Sequence, residues 1–240
     1  MNNRVYVISN NTKRPISTAS VFISYGYQWS EVKRATAGDY NLPDGISLNI
    51  MNPGRLFRTP SSSVYTMVWD SGASAWVKQT VSYNGFVNLG YRWDEVQVIP
   101  YAEMPPGDYA TALMADRHPN GTLIRAQNDA RVYMMDTGTR RYLPRPEVLY
   151  SYHYWWTDIK QATTADNQLP LGADLPYREG TVLFDGSNIY ITELPPTGDN
   201  VKRPIAPWEC FSDRLSFSLS QGFTLPAAAL PSGNGPIIYC

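Results

Sequence analysis

Short apolar stretches separated by turn residues follow one another along most of the chain. Four of them combine β-branched and aromatic residues in the manner typical of strands: residues 5–8 (VYVI), 64–67 (VYTM), 132–135 (VYMM) and 189–192 (IYIT). Turn residues and a second strand-like stretch, which begins near a basic residue, follow each of them. This pattern predicts four β-hairpins.

After each hairpin the apolar residues change to helical spacing. Within residues 17–29 they lie at positions 21, 22, 25 and 29, which is close to the period of an α-helix. A Ser, Asn or Pro near the start of the stretch is a residue that caps helices. The spacing therefore predicts one short helix in each unit and little other helix.

The hairpin and the helix belong to an internal repeat, because residues 14–32, 78–96 and 141–159 align without gaps. Each copy has a basic residue, an apolar residue eight positions later, and then an aromatic residue, a Trp, an acid and a β-branched residue. A fourth copy begins at Arg203 and then decays, with Ser218 at the position of the Trp. We expect the basic and acidic residues of one repeat to pair with each other.

The hairpins alternate in length. From the strand Tyr to the basic residue is 8 positions in the first and third repeats and 13 in the second and fourth. This alternation predicts a two-fold pseudo-symmetry. The long hairpins carry Trp69 and Trp76 in the second repeat and residues 195–199 in the fourth, and hairpin tips of this kind are candidate contact surfaces.

A further strand that begins with Gly precedes the last three hairpins, at residues 54–57, 121–124 and 180–183. The first repeat has no such strand, but residues 235–240 have the right form. We therefore predict that residues 235–240 pair with residues 5–8 and close a ring, which would leave no open sheet edge.

The predicted fold is thus all-β with short helices, in a single domain over residues 1–240. Four pseudo-repeats form the ring, most simply a four-bladed β-propeller, with approximate bounds 1–53, 54–120, 121–179 and 180–234. The alternative is a non-propeller arrangement of β-hairpin modules, such as two paired sandwich-like halves.

Charge and composition narrow the possible partners. The 240 residues have a net charge of -1, which gives no electrostatic reason to expect nucleic acid or an anionic membrane as partner. No apolar run reaches the length of a membrane span, so we expect no membrane insertion. No signal peptide is visible.

Cys210 and Cys240 cannot form a disulfide framework, and either two thiols or one bridge is expected. Cys210 falls on an apolar helix position, which predicts a mostly buried thiol.

Catalytic and metal-binding motifs are not evident, so we expect no enzymatic activity, no metal and no cofactor. His118 and His153 have no metal-ligand spacing. His153 is expected to be a packed or surface histidine beside aromatic residues. His118 lies before a Pro-Asn-Gly turn, which predicts a solvated loop.

The third repeat and the start of the fourth contain the motifs 121–125 (GTLIR), 131–133 (RVY), 140–141 (RR), Trp156 and 175–181 (LPYREGT). These motifs resemble a repeat found in many bacterial secreted and cell-surface proteins. That repeat reads roughly GTL, VY, a turn, KR-P-I, then Phe, Gly, Trp and Val. The resemblance covers most of the chain and is strongest in repeats one and three. It implies attachment to a surface and no known catalysis. By architecture alone, the four units are also similar to hemopexin-type propellers, whose signature residues are not evident.

These observations favour a non-enzymatic, lectin-like protein that binds a glycan or cell-surface polymer and is located outside the cell or at a cell or virion surface. The alternative is a structural subunit of a virion, such as a phage tail or decoration protein, or of an extracellular assembly. Such a subunit would have protein partners or self-assemble. Multivalent sugar binding would favour the lectin-like protein, and assembly into a particle or filament would favour the structural subunit.

Sugar sites combine a flat aromatic ring with polar or charged donors. The predicted ligand-binding residues are Tyr27, Trp29 and Arg14; Tyr91, Trp93 and Lys78; Tyr154, Trp156 and Arg141; and, on the long hairpin, Trp69 and Trp76. Because the fourth repeat has lost its aromatic residues, we expect three repeated sites at most. The repeated Trp residues have a commoner role as the core of each repeat. Trp155 and Trp208 lie outside the repeat pattern and are further candidates.

Overall fold

The computed structural model describes residues 4–9, 11–61, 63–113, 115–193 and 200–239. This part of the chain is mostly β-sheet with few short helices, as predicted. The strands are β1 (Tyr6–Ser9), β2 (Thr12–Pro15), β3 (Phe57–Arg58), β4 (Tyr65–Asp70), β5 (Ala75–Thr80), β6 (Gln97–Val98), β7 (Leu123–Arg125), β8 (Tyr133–Asp136), β9 (Thr139–Tyr142), β10 (Lys160–Gln161), β11 (Val182–Phe184), β12 (Ile189–Glu193), β13 (Val201–Ile205), β14 (Gly222–Thr224) and β15 (Gly233–Asn234).

The helices are short. The α-helices are α1 (Ala19–Ser24), α2 (Ala37–Asn41), α3 (Tyr83–Asn88), α4 (Pro146–Ser151) and α5 (Thr164–Asn167), and a π-helix covers Cys210–Arg214. Single 3₁₀ turns cover Trp29–Glu31, Trp93–Glu95, Tyr101–Glu103, Trp156–Asp158, Leu219–Gln221 and Ala227–Ala229. None of the helices in the described ranges is long and apolar enough to cross a membrane.

Four separate sheets form, one in each repeat. Their strand orders are β1-β2, β5-β4-β3-β6, β10-β7-β8-β9 and β14-β11-β12-β13-β15. The pairs β1–β2, β4–β5, β8–β9 and β12–β13 are antiparallel, so the four predicted hairpins are confirmed. The tip of the fourth hairpin, with residues 195–199, lies outside the described residues.

Strands of two or three residues add a parallel edge to the complete repeats. After the 3₁₀ turn, β6 pairs with β3 and β10 pairs with β7, and β14 pairs with β11 in the same way. The first repeat has only two strands among its described residues, as expected from its missing Gly-led strand. The sequence pattern did not predict these parallel strands, because so few residues show no periodicity.

The predicted pairing of the chain end with the first hairpin is wrong for the described residues. Ile238 instead bridges Ile205 in parallel fashion, and the Ile238 amide donates to the Pro204 carbonyl at 2.8 Å. Residues 235–239 thus extend the sheet of the fourth repeat beyond β13. Corresponding bridges occur in other repeats, such as Val81 to Leu113. The segment therefore completes its own repeat, and Cys240 lies outside the described residues.

The first helices of the first and second repeats are capped and buried as their sequences predict. The Thr18 and Ser82 side chains accept hydrogen bonds from the amides three residues on, which fixes the starts of α1 and α3. Their buried faces include Phe22 and Phe86. The residue before the repeated aromatic then has a positive φ in every repeat, at Gly26, Gly90, His153 and Ser216. This left-handed residue ends the helical segment and turns the chain toward the 3₁₀ turn.

The fourth repeat is longer by one residue than an ungapped alignment assumes. Its helix is a π-helix, closed by the bond from the Leu215 amide to the Cys210 carbonyl at 2.9 Å, and such a helix accommodates an inserted residue. Phe217 therefore takes the place of the repeated Tyr, and Leu219 takes the place of the Trp. The assignment of Ser218 to the Trp position is wrong, and so is the loss of every aromatic.

The strand register also corrects the sequence alignment of the second repeat with the first. Lys78 pairs with Met67 as Lys13 pairs with Ile8. Lys78 therefore corresponds to Lys13 and not to Arg14, and the second repeat is one residue shorter between its hairpin and α3. Insertions and deletions of one residue lie in these connections, where neither sheet nor helix fixes the spacing.

Repeats pack on one another through apolar clusters. Val21 of α1 lies in a cluster with Phe57, Met67 and Ile99 of the second repeat. Leu149 of α4 lies in a larger cluster that includes Leu183 and Leu225 of the fourth repeat. Each fully buried side chain of this kind contributes about 1.5–3 kcal/mol. The first helix thus fixes the second sheet, and the fourth helix along the chain fixes the fourth sheet.

Candidate functional site

The three repeated Trp residues lie at the surface. Trp29 is 57%, Trp93 62% and Trp156 50% exposed, so the prediction that they form the core is wrong. The Trp29 ring stacks on buried Phe22 with a centroid distance of 4.2 Å and an angle of 21°. Trp93 lies on Phe86 in the same way at 4.6 Å. One face of each ring is thus supported by its own helix, and much of the ring remains open to solvent.

Trp156 is held differently, because the third repeat has Leu149 in place of the Phe. The Trp156 indole Nε1–H donates to the Tyr150 hydroxyl at 2.8 Å. The same Tyr150 ring packs against Trp155 at 5.6 Å, and Trp155 is itself exposed. The third repeat therefore presents two neighbouring indole rings where the other two present one.

The Tyr residues of the predicted sites lie inward. Tyr91 and Tyr154 are buried and Tyr27 is half-buried. Burial raises the pKa of both Tyr91 and Tyr154, so neither phenol is an acid or base near neutral pH. Each of the three rings is covered by a cation of another repeat or of the segment leading into one. The covering groups are Arg178 on Tyr27, Lys160 on Tyr91 and Arg55 on Tyr154, at 4.0, 5.4 and 4.3 Å from the ring centroid.

The basic residues of the predicted sites hold the connection that follows the repeat. The Arg14 Nε donates to the Ile46 carbonyl at 2.9 Å, and Arg141 makes the same bond to its own connection at 3.0 Å. Lys78 forms an ion pair with Asp108 at 3.0 Å. Among the described residues, none of these three cations pairs with the acid that follows the Trp of its repeat. That predicted pairing is wrong, and the structure separates each predicted site into an outer Trp and inner groups.

The acids of the second and third repeats, Glu95 and Asp158, instead pair across a junction between these two repeats. We call this the 2–3 junction and define it by Arg55, Tyr91, Glu95, Tyr154, Asp158 and Lys160. The Lys160 Nζ lies 2.5 Å from Glu95, and Arg55 lies 3.6 Å from Asp158. Lys160 is buried. The space left among these groups is about 30 Å³, which is enough to hold an ordered water molecule.

Repeats one and four meet in a corresponding 1–4 junction, defined by Tyr27, Glu31, Lys33, Arg178, Phe217 and Gln221. Lys33 Nζ donates to the Gln221 side-chain oxygen at 2.9 Å and lies 5.5 Å from the Phe217 ring centroid. Lys33, Gln221 and Phe217 thus repeat the arrangement of Lys160, Glu95 and Tyr91. The equivalence of the two junctions agrees with the two-fold pseudo-symmetry that the hairpin lengths predict.

A buried His–Asp pair joins repeats two and three away from the junction. The His118 Nδ1 lies 2.6 Å from the Asp166 Oδ2, and the Nε2 lies 2.9 Å from the Leu89 carbonyl. Both side chains are fully buried, so the prediction of a solvated loop at His118 is wrong. A carbonyl only accepts hydrogen bonds, so Nε2 carries a proton.

Asp166 is the charged member of a capping box as well. Burial raises the pKa of Asp166, but hydrogen bonds from His118 and Thr163 outweigh burial and lower the pKa below its ordinary value. The Thr163 amide donates to Asp166 at 2.8 Å. The Asp166 Oδ2 thus meets both the Thr163 amide and the His118 ring, and the two side chains form one buried hydrogen-bonded pair. It is closed to solvent and to substrates.

His153 lies at the contact of repeats one and three, where its ring meets Tyr27 edge-on at 6.2 Å. It has a positive φ of 57°. Burial, followed by the nearby Arg178, lowers the pKa of His153. The half-buried ring is thus neutral at a pH where a free histidine is protonated, which agrees with the prediction of a packed histidine.

Stability is expected to fall as the pH is lowered through about 6.5, the pKa of histidine in the unfolded chain. The reason is that the unfolded chain then binds a proton that folded His153 does not, so the slope is at most about 1.4 kcal/mol per pH unit. Urea unfolding at several pH values, compared between wild type and His153→Asn, measures this slope. Asn tolerates the same positive φ. Identical pH profiles for the two proteins would contradict the expectation.

The remaining Trp residues divide into two kinds. Trp69 and Trp76 are paired across the long hairpin with ring centroids 5.9 Å apart. Trp76 packs against the cluster of Val21 and Phe57, while Trp69 is half exposed. Trp208 is exposed and rests on buried Phe211. Cys210 is buried as predicted, but its sulfur forms a disulfide and is not a thiol.

In the described ranges no group of three or more His, Cys, Asp or Glu side chains is arranged to hold a metal ion. A scan against protein-family models, a search of curated proteins and a search of solved structures found no match to this chain. The exposed Trp rings and the two junctions are therefore the features on which a functional proposal rests.

Proposed function

We propose that this chain is a non-enzymatic, lectin-like protein that binds a glycan or a cell-surface polymer outside the cell or at a cell or virion surface. The observation that carries the proposal is the exposure of Trp29, Trp93 and Trp156 in equivalent turns. An indole ring that is backed on one face and open on the other is the platform on which a pyranose ring stacks. The fold gains little from exposing three such rings.

Polar groups beside each ring support the same proposal. Gln28 and Ser30 flank Trp29, Arg92 and Asp94 flank Trp93, and Thr157 follows Trp156. All five are exposed. Donors and acceptors of this kind bind sugar hydroxyls. These residues replace Arg14, Lys78 and Arg141 as the proposed polar partners, since those basic side chains are engaged by the connections of their own repeats.

A ring of four repeats would present the three sites around its circumference, so that weak single sites add up. The circular order of contacts supports this four-bladed arrangement. Apolar clusters join repeat one to two and repeat three to four, and the junctions join two to three and one to four. In this proposal packing closes the ring, since residues 235–239 pair within the fourth repeat.

Replacing Trp29 by Ala is expected to remove one equivalent of bound ligand with a small loss of stability, about 0.5–1.5 kcal/mol for the lost aromatic pair. A core Trp would cost about 3–5 kcal/mol. A glycan array identifies the best ligand, calorimetry with that ligand counts the sites, and urea unfolding measures stability.

Trp208→Ala is the matched control, because Trp208 is also exposed and also rests on a buried Phe. It lies outside the repeated turn, so it is expected to lose similar stability and no ligand. Equal stoichiometry in the wild type and in Trp29→Ala would refute the site.

A structural subunit of a virion or extracellular assembly is the second candidate. Large apolar side chains that belong to no repeated turn are exposed, among them Ile46, Tyr83, Leu171 and Tyr239. Exposed apolar groups of this kind favour protein contacts when they are contiguous. Sedimentation of the purified chain across a concentration series tests this candidate, and a monomer at every concentration would exclude self-assembly.

A further inference from the structure

A groove of about 510 Å³ lies between the first and fourth repeats. Its walls are the 3₁₀ turns Trp29–Glu31 and Leu219–Gln221 together with the residues next to them. Serine and glutamine side chains form most of the lining, and Glu31 and Lys33 complete it. The volume is in the range of small-molecule sites.

The corresponding place in the 2–3 junction is closed by larger side chains. There Arg92 begins the 3₁₀ turn and reaches across to the Thr157 carbonyl at 3.2 Å. In the 1–4 junction the residue at the start of the turn is Ser218, which is too short to cross. Ser30 stands opposite it, at the position of Thr157.

Three further replacements remove bulk or charge from the same place. Ser220 corresponds to Asp94, Gln221 to Glu95 and Gln28 to Trp155, by their positions in the turns. The residues of the 1–4 junction are smaller or neutral in each case. The groove is therefore a consequence of the sequence at this junction and not of the repeat fold in general.

The walls of the groove are fixed although its centre is open. Lys33 ties the two turns together through the Gln221 side-chain oxygen, and the Ser218 amide donates to that same oxygen at 3.1 Å. Glu31 accepts from the Gln28 amide at 3.0 Å in its own capping box. These bonds set the positions of the lining groups before any ligand binds, which lowers the cost of binding.

The chemistry of the lining identifies the class of ligand. Hydroxyl and amide groups both donate and accept hydrogen bonds, and the single positive charge of Lys33 is balanced by Glu31. A ligand with many hydroxyls and no net charge matches this set, whereas a charged ligand would leave one of the two ions unbalanced. We infer that the groove binds a neutral oligosaccharide segment. Its lining includes Gln28 and Ser30, so the groove adjoins the Trp29 platform and is separate from the Trp93 and Trp156 platforms. The ligand class rests on the proposed function; the site does not.

Saturation-transfer NMR with neutral trisaccharides (chitotriose, maltotriose and cellotriose) tests the inference, with Ser218→Arg as the decisive variant. Arg occupies this position in the second repeat, so the variant should fold and close the groove. We expect at least one trisaccharide to bind the wild type and its affinity to fall at least tenfold in Ser218→Arg. Thermal melting verifies the fold, and Ser218→Gln, which places the residue of the first repeat at this position, gives a second and milder obstruction.

The double variant Trp93→Ala/Trp156→Ala separates this site from the two platforms that do not adjoin it. It removes two platforms distant from the groove, so trisaccharide binding in the groove should persist. Wild-type and Ser218→Arg proteins that bind the trisaccharides equally, or no binding to the wild type at millimolar concentration, would overturn the inference. Binding that is lost only in the double variant would overturn the groove and support the platforms. The glycan array tests the Trp platforms independently of the groove.

Discussion

Asp166→Asn is expected to lower the free energy of unfolding by about 3–5 kcal/mol, because hydrogen bonds to a buried carboxylate contribute about 1.5–3 kcal/mol each. The Asp166 carboxylate meets the His118 ring, the His118 amide and the Thr163 amide. An Asn side chain has one acceptor oxygen and cannot replace all three bonds. Denaturant unfolding at neutral pH measures the loss.

The same carboxylate makes stability sensitive to acid. Because the fold lowers the pKa of Asp166, its contribution is complete above about pH 4, the value in the unfolded chain, and is lost as the pH falls through the lower folded value. The acid-dependent difference between wild type and Asp166→Asn should therefore shrink at low pH.

Asp39→Asn is the matched control for Asp166→Asn. Asp39 completes the capping box of α2 with Thr36, as Asp166 does with Thr163 in α5, but it has no histidine partner. It should lose only about 0.5–2 kcal/mol, the range for a cap. If the two variants lose equal stability, the hydrogen bonds between Asp166 and His118 contribute nothing and the expectation is wrong.

Glu95→Gln is expected to cost about 3 kcal/mol, the low end for breaking a buried ion pair, because the amide oxygen still accepts one hydrogen bond from Lys160. The Lys160 side chain is only 6% exposed and lies 2.5 Å from Glu95. Solvent therefore cannot replace Glu95 in stabilising the charge of Lys160. Thermal and urea unfolding measure the change.

The 1–4 junction supplies the control for this second result. Gln221 already occupies the position of Glu95 and faces Lys33, which is less buried than Lys160. Gln221→Glu should therefore leave stability unchanged or raise it by about 0.2–1 kcal/mol, as partly exposed ion pairs do. A loss in Gln221→Glu as large as that in Glu95→Gln would contradict the equivalence of the two junctions.

The local elements could be predicted from the sequence because their signals lie within a few residues. Alternating strand residues around Tyr65 and Tyr133 form hairpins in the predicted places, and Thr18 and Ser82 begin helices whose apolar faces are buried. The length of a hairpin is also a local property. The alternation of hairpin lengths could therefore be read from the sequence, and it indicated the equivalence of the two junctions.

Features that depend on distant residues were missed. The burial of His118 follows from Asp166, 48 positions away, and no pattern near His118 indicates it. The exposure of Trp29 depends on whether another part of the chain covers its outer face. Periodicity reports only that one face meets the helix. The burial of the Tyr residues follows likewise from cations such as Arg55. The apolar pattern in residues 235–239 fits a strand beside residues 5–8 and equally a strand beside β13. Only the hydrogen bonds of the structure show that it lies beside β13.

The presence of two equivalent junctions has a consequence for how this sequence can change. The 2–3 junction holds buried Lys160 and a cavity of about 30 Å³, so substitutions there disturb packing and charge together. The 1–4 junction has exposed Ser218, Ser220 and Gln28 in the corresponding places. Exposed positions of this kind usually change stability by less than about 0.5 kcal/mol when substituted. One half of the molecule can thus conserve the architecture while the other accumulates variation, and a library randomised at the serines of the 1–4 junction is expected to vary the surface of the groove on an unaltered scaffold.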